Sequence, residues 1–204
     1  MAIIHLLDDD VAVTRACAFL LESLGYAVRC WEQGERFLAE ADLYQHGVLL
    51  LDMRMPMLDG QRVHEALRRR ESTLAVVFLT GHGDVPMAVE QMKRGAVDFL
   101  QKPVSAQALQ TGLEHALAVS STAISRRQIV NCYQQLTAKE RQLLGLVVKG
   151  LINREIAEAM SIAVRTVEVH RARVMEKMQA GSLAELVSRV QAVPDTLRGE
   201  ATGR

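Results

Sequence analysis

Val48-Leu49-Leu50-Leu51-Asp52-Met53-Arg54-Met55-Pro56 reads as a buried strand that runs into a carboxylate and then stops. Four aliphatic residues in succession fit a strand covered on both faces. Pro56 lacks the amide a ladder needs and drives Met55 toward an extended backbone, so the strand ends before it. Asp52 then stands at the carboxyl end of a core strand, the edge at which open α/β sheets bind ligands. A carboxylate there has two readings: a group that handles a ligand, or a loop residue capping the next helix.

On either side of this stretch, residues 1–118 alternate short apolar runs with helical patterns. The strands fall at 3–7, 27–30, 47–51, 75–79 and 97–100, the helices at 11–24, 33–40, 60–70, 85–94 and 105–118. Such alternation builds a parallel sheet covered by helices on both faces. Right-handed crossovers favour the flavodoxin-like order 2-1-3-4-5. Asp84 is placed to cap the helix that carries Pro86 in its first turn, and Ser105 to cap the last one.

Beyond residue 119 the pattern changes. Ser120-Ser121-Thr122-Ala123 and Arg126-Arg127 read as a linker or the frayed end of the last helix, partly helical over 120–135, with helical spacing resuming at Ile129, Val130 and Tyr133. Residues 136–194 are all-helical and form four helices. Thr137-Ala138-Lys139-Glu140 is a capping box, and Gly150 ends that helix. Asn153 is placed to cap the second helix, the third runs from 164 to 178, and Ser182-Leu183-Ala184-Glu185 is a second capping box. Residues 195–204 read as a frayed tail. The domain plan is therefore 1–119, a linker at 120–135, 136–194, and the tail.

The composition suits a soluble globular chain: 49% apolar residues, 24% charged. No stretch approaches the ~20 apolar residues of a spanning helix, and Met1-Ala2-Ile3-Ile4-His5 reads as a strand, not a leader. Cys17, Cys30 and Cys132 lack a Cys-x-x-Cys pair and suit buried thiols in a reducing cytoplasm. The zero net charge hides an asymmetry. Residues 1–118 carry 11 Lys/Arg against 16 Asp/Glu, whereas residues 119–204 carry 13 against 8. The basic half points toward nucleic acid.

The inferred sheet order makes strands one and three neighbours, so Asp9 or Asp8 converges with Asp52 on one edge. Crowded carboxylates repel unless a cation intervenes, and Mg2+ suits such a set. Thr80 ends strand four, and Lys102 follows strand five. Acid, acid, hydroxyl and ammonium form a phosphoryl-transfer constellation with Asp52 as nucleophile. Thr80 as a cap, Lys102 as a solvated lysine and Asp10 as an N-cap are the plainer readings.

In the basic half, a short helix, a tight turn and a longer basic helix read as helix-turn-helix. Val167, Val174 and Met178 share the core face with Arg171 in their spacing. Arg165, Val169, Ala172 and Glu176 point away, flanked by Glu168 and Arg173. Val169 suits a thymine methyl, and Arg165 or Arg173 a guanine. Thr166, His170, Arg171 and Lys177 lie at the sides, within reach of phosphates.

With Asp8-Asp9, Asp52, Thr80 and Lys102-Pro103 in place, residues 1–118 resemble a receiver domain of bacterial two-component signalling. The loop Met53-Arg54-Met55-Pro56 and the turn Asp59-Gly60 also match that family's usual segment after the phosphorylated strand, and Thr80-Gly81-His82-Gly83-Asp84-Val85-Pro86-Met87-Ala88 resembles its FixJ branch. The resemblance implies phosphorylation of Asp52 by a sensor histidine kinase. It implies Mg2+ held by Asp9, by Asp8 through water, and by the Arg54 carbonyl, with Lys102 on the phosphoryl group before a cis Pro103. Thr80 and Phe99 become a switch pair. Leu136-Thr137-x-x-Glu140, Gly150-x-x-Asn153-x-Glu155-Ile156-Ala157 and Thr166-Val167-Glu168-Val169-His170 resemble the LuxR/NarL/FixJ-type DNA-binding domain. Ala163, where that family often has a capping Ser, and Ile152, where a small polar residue is usual, depart from it.

Together these imply a cytoplasmic response regulator that is not an enzyme. It would pair as a homodimer through the face of helix 85–94, strand 97–100 and helix 105–118, bind double-stranded promoter DNA, and activate transcription with RNA polymerase. An aspartyl-phosphate phosphatase is disfavoured, because such enzymes need a second acid where Arg54 stands. An output that binds RNA or protein is the third reading.

Overall fold

In the computed structural model, which describes residues 2–81 and 85–199, five parallel strands form one sheet in the order β2-β1-β3-β4-β5. The strands are β1 (Ile3–Leu7), β2 (Ala27–Trp31), β3 (Gly47–Asp52), β4 (Ala75–Thr80) and β5 (Asp98–Gln101). Helices α1 (Val11–Ser23), α2 (Gly34–Glu40), α3 (Gly60–Arg69), α4 (Val85–Lys93) and α5 (Ala106–Gln134) follow them in turn. Asp84 and His82 lie outside the described residues.

Every residue of β3 and β4 is buried. The pleat explains why. Leu49, Leu51, Val76 and Phe78 pack with Phe37, Val63 and Leu67 from α2 and α3. Val48, Leu50, Val77 and Leu79 pack with Cys17, Leu21, Leu109 and Leu113 from α1 and α5. A strand buried on both faces has no polar alternation, which is the signature of the aliphatic run before Asp52.

The molecule divides into two compact units, residues 1–124 and 125–204, and the division falls within α5. Residues 106–134 form one 29-residue helix, so the segment between the two patterns continues the last helix of the first unit. Ser120, a linker signal in sequence, is fully buried. Its Oγ accepts from Gly47 N (3.1 Å) and donates to Thr73 O (2.8 Å). These bonds satisfy a buried hydroxyl and tie α5 to the entry ends of β3 and β4.

In the second unit, α6 (Ala138–Val148), α7 (Asn153–Met160), α8 (Val164–Lys177) and α9 (Leu183–Ala192) enclose a core of Leu143, Leu144, Ile156, Val167, Val174, Met178, Leu186 and Val190. The Thr137 capping box forms: Glu140 N donates to Thr137 Oγ1 (3.3 Å) and Thr137 N to the Glu140 carboxylate (2.8 Å). Gly150 takes φ +86° after α6, as a helix-ending glycine does. Asn153 is not the cap of α7. Ile152 holds that position, and its amide donates to Glu155 (2.9 Å). Ser182 caps α9, but Glu185 reaches back to Gly181 N instead of Ser182 N. Part of the tail read as frayed is also ordered: Asp195–Gly199 form a short helix, α10, and Leu197 packs on the core. Residues 200–204 lie outside the described residues.

One buried group makes the first unit sensitive to acid. His5 on β1 is fully buried, and its Nδ1 accepts from Trp31 Nε1 (3.0 Å), while the Gln45 amide lies 2.9 Å from Nε2. Burial and the nearby Arg29 charge outweigh Asp42 and lower its pKa to about 4. The unfolded imidazole titrates near 6.5. Between these values the unfolded chain binds the extra proton, so this stabilisation is complete above pH 6.5 and is lost as pH falls toward 4. At ~1.4 kcal/mol per unit of pKa, the loss is on the order of 3 kcal/mol. The sole tryptophan, Trp31, reports it directly. Urea unfolding followed by Trp31 fluorescence is expected to give a steeper loss of stability across that window for the native chain than for His5→Gln; equal slopes refute the assignment.

Candidate phosphoacceptor and nucleic-acid sites

The carboxyl edge of the sheet gathers the predicted acidic groups because β1 and β3 pair in register, Leu7 opposite Leu51. Asp8 follows Leu7 and is buried, and Asp52 ends β3, also buried. Asp9 beside them is exposed. One oxygen from each of Asp8, Asp9 and Asp52 lies within 4.8 Å of the others. Asp10 does not join them. Its Oδ1 accepts from Ala12 N (2.8 Å) and Val13 N (3.2 Å) and caps α1.

Lys102 completes the site from the far edge. Its backbone amide donates to Thr80 O (2.8 Å), and a cis Lys102–Pro103 bond follows. Its Nζ lies 2.5 Å from Asp8 Oδ2 and also donates to Asp52 Oδ1. The backbone amide of Arg54 donates to Asp52 Oδ2 (3.0 Å). Below the cluster, Gly60 N donates to Met53 O (3.3 Å), and a β-carbon at Gly60 would meet the Asp52 carbonyl oxygen at 2.2 Å. The turn therefore requires glycine to bring α3 against the strand end.

Burial, joined by the charge of Asp8, raises the pKa of Asp52 despite its hydrogen bond to Lys102, the charge of Lys102 and the Arg54 amide. Lys102 moves the same way: burial lowers it, but two carboxylates outweigh burial and raise it. The two shifts are compatible because the pairing is unequal. Lys102 has two anions, whereas Asp52 shares one cation with Asp8. With Asp9 the cluster holds three carboxylates against one ammonium, a net of −2 when all are ionised. Hard oxygen donors with uncompensated charge fit a divalent cation such as Mg2+.

Thr80 is buried, and its hydroxyl donates to Leu100 O (3.4 Å). Phe99 is half-buried against the α2/α3 side of the core. Thr80 stands at the exit of the sheet opposite Gln101, and Phe99 sits further in, opposite Phe78. In this arrangement the Thr80 hydroxyl is bonded to β5.

In the second unit, α8 turns Val167, Val174 and Met178 into the core. Arg165, Thr166, Glu168, Val169, Ala172 and Arg173 are exposed, and His170 is half-buried. Two expected phosphate contacts are engaged inside the unit. The Arg171 guanidinium donates to Asn153 Oδ1 (3.0 Å), and Lys177 Nζ donates to Glu140 Oε2 (2.7 Å) and Gln135 O (3.4 Å). In sequence, Glu140 reads only as a capping residue. Its spacing on α6 turns the carboxyl toward α8, but nothing local names Lys177 as the partner. Ala163 holds the N-cap of α8 with no side-chain bond. Ile152 is 63% exposed, beside the turn that leads into α7.

Comparison with known proteins converges on the same two halves. A family model described as "Response regulator receiver domain" matches residues 4–114, and one described as "Bacterial regulatory proteins, luxR family" matches residues 134–190. The tetrathionate response regulatory protein TtrR of Salmonella typhimurium is 76% identical over 198 residues, covering 96% of each chain. The transcriptional regulatory protein FixJ of Rhizobium meliloti is 43% identical over 188 residues, 90% of this chain and 92% of its own. Among solved structures, response regulator StyR aligns with a TM-score of 0.71 at 38% identity, covering 93% of this chain and 98% of that one. Full-length FixJ from B. japonicum aligns with a TM-score of 0.58 at 37% identity, covering 94% and 96%.

The Gly60 contact predicts a cost. Gly60→Ala forces the Asp52 backbone and α3 apart and is expected to lower stability by about 1–3 kcal/mol. A urea midpoint equal to that of the native chain contradicts it.

Proposed function

The chain belongs to the bacterial two-component response regulators that join a receiver domain to a LuxR-family DNA-binding domain, and on that premise we propose how its own residues carry the signal. Asp52 is the phosphoacceptor. A carboxylate oxygen of Asp52 attacks the phosphorus of a phosphohistidine on a sensor kinase. The new O–P bond forms as the N–P bond breaks, and the electron pair returns to the imidazole. The observation that carries this reading is the Lys102 ammonium bonded to both Asp8 and Asp52 at the sheet's carboxyl edge.

Asp9 and Asp52, Asp8 through water, and the Arg54 carbonyl are the groups proposed to hold Mg2+, which when bound offsets carboxylate charge and lets a phosphoryl dianion approach. Lys102 then shifts part of its hydrogen bonding to a phosphoryl oxygen. The Thr80 hydroxyl leaves Leu100 O for another, and Phe99 turns into the space behind it. Movement of Thr80 and Phe99 alters the face of α4, β5 and α5, through which two receivers pair. Pairing brings two DNA-binding units onto one promoter and raises affinity through effective concentration.

On α8, Arg165, Val169, Ala172 and Arg173 are proposed to read base edges in the major groove, with Thr166, Glu168 and His170 beside them. Once bound, the dimer activates transcription through RNA polymerase. Asp52 chemistry changes the protein itself and turns over no metabolite, so the chain acts as a transcription factor and not an enzyme. None of the described helices is long and apolar enough to cross a membrane. We assign the chain to the cytoplasm, where its DNA is. The relative named for the tetrathionate response supports tetrathionate as the stimulus, with genes for its reduction as targets.

Two measurements test the reading. With an acyl-phosphate donor and Mg2+, the native chain is expected to sediment as a dimer and shift promoter DNA, whereas Asp52→Asn stays monomeric and unshifted. An Asp52→Asn protein that responds like the native one sinks the assignment. Chelating Mg2+ is expected to abolish labelling from a phosphorylated kinase while leaving the fold's far-ultraviolet circular dichroism unchanged.

A further inference from the structure

The end of the recognition helix is held by a contact that DNA reading alone does not ask for. Glu140 is buried on α6, with its carboxyl side chain 4% exposed. Its Oε2 accepts from Thr137 N (2.8 Å), Thr137 Oγ1 (3.0 Å) and Lys177 Nζ (2.7 Å). Lys177 sits in the last turn of α8 and donates as well to Gln135 O (3.4 Å). One carboxylate thus caps the start of α6 and grips the end of α8, 37 residues later.

The natural rival role for Lys177 is a phosphate contact. It lines an open cleft of about 660 Å3 together with Lys139, His170 and Arg173, and its side chain is one-third exposed. Charge argues against the rival. Carrying the ammonium to a phosphate leaves the buried Glu140 carboxylate without its cation, a cost that opposes the move. Burial raises the Glu140 pKa, yet Lys177 and the two Thr137 groups bring it below the ordinary range, so this acid is ionised at neutral pH.

The opposite end of α8 gives the clasp its importance. Ala163 leaves the N-terminus without a side-chain cap. Among the described residues, Arg171 also ties α8 to its surroundings: it donates to Asn153 Oδ1 and anchors the helix middle to α7. Apolar packing at Val167, Val174 and Met178 is not directional. The directional ties are Arg171 to Asn153 at the helix middle and Lys177 to Glu140 at its C-terminal turn, and the second fixes the end that the first does not reach.

We propose that Lys177 is a positioning residue: with Glu140 it sets the angle at which α8 presents Arg165, Val169 and Arg173 to the groove, and so governs sequence discrimination and not phosphate attraction. The proposal rests on the DNA-binding reading above and deepens it.

Full-length protein with an acyl-phosphate donor and Mg2+ is titrated against two probes across a salt series. One is a duplex selected by the native chain from a random-sequence library; the other is a mixed-sequence duplex of equal length. K177Q and E140Q are each expected to lower the selected-to-mixed affinity ratio by roughly tenfold, a size typical of a lost specific contact. The slope of log affinity against log salt stays that of the native chain. K177R, which keeps the charge, retains most of the ratio. R173Q serves as the phosphate-or-base contact control and lowers the slope by up to about 0.9 if it neutralises a phosphate.

A K177Q slope that falls by about 0.9, with both duplexes weakened equally, overturns the proposal in favour of direct phosphate contact. An unchanged ratio per folded molecule, with only a lower melting temperature, overturns it in favour of a scaffold role. If K177Q fails to fold, E140Q and K177R give the same comparison, since one removes and the other keeps the charge pair. Failure of the native chain to select any duplex defeats the DNA-binding reading itself, a result separable from both.

Discussion

One ammonium shared by two buried carboxylates organises the receiver unit. Lys102 comes from the loop after β5, Asp8 from the end of β1 and Asp52 from the end of β3, so the bond pattern ties three strand exits together. A single cation cannot satisfy this acidic edge. Burial, with the charge of Asp8, raises the Asp52 pKa, and the edge keeps affinity for further positive charge. The edge is thus poised: Lys102 offsets part of its charge, and the remaining negative charge suits a divalent cation. In the proposed mechanism, a phosphoryl group brought with that cation would change the balance on Lys102 and on the neighbouring hydroxyl of Thr80.

The second unit uses a related device for a different end. There a buried carboxylate, Glu140, is fully matched by one lysine and two donors from Thr137. A matched pair has no leftover charge to attract a ligand; it holds geometry. Lys102 and Lys177 are both lysines bonded to buried acids, yet they point to opposite roles because the number of acids around each differs.

Much of this was legible in the residues. Strand types and order followed from uninterrupted aliphatic runs and from the helical spacing between them, and the observed bounds differ by a residue at most ends. The convergence of Asp8, Asp9, Asp52 and Lys102 followed from strand order. What the residues left open was the end of α5. Ser120-Ser121-Thr122 suits a linker or a helix end, and only the packed unit shows the Ser120 hydroxyl bonded to Gly47 and Thr73 within a continuing helix. Asn153 has good capping chemistry, but its oxygen serves Arg171, and Glu155 serves the amide of Ile152 instead. Local propensity ranks candidates for a role; a competing partner from elsewhere decides among them.

The sequence by itself determined the kind and order of elements, because periodicity and turn chemistry act over a few residues. It also determined which residue types stand at each strand exit. Tertiary structure decided which of these groups bond to one another, and the proposed function turns on those bonds. Lys102 meets Asp8 across 94 residues of chain, and Lys177 meets Glu140 across 37. Whether a lysine is bonded, shared or free depends on the burial of its partner and the direction of a helix. Both emerge only when the whole unit packs, since the desolvation that makes such bonds matter does not exist in the unfolded chain.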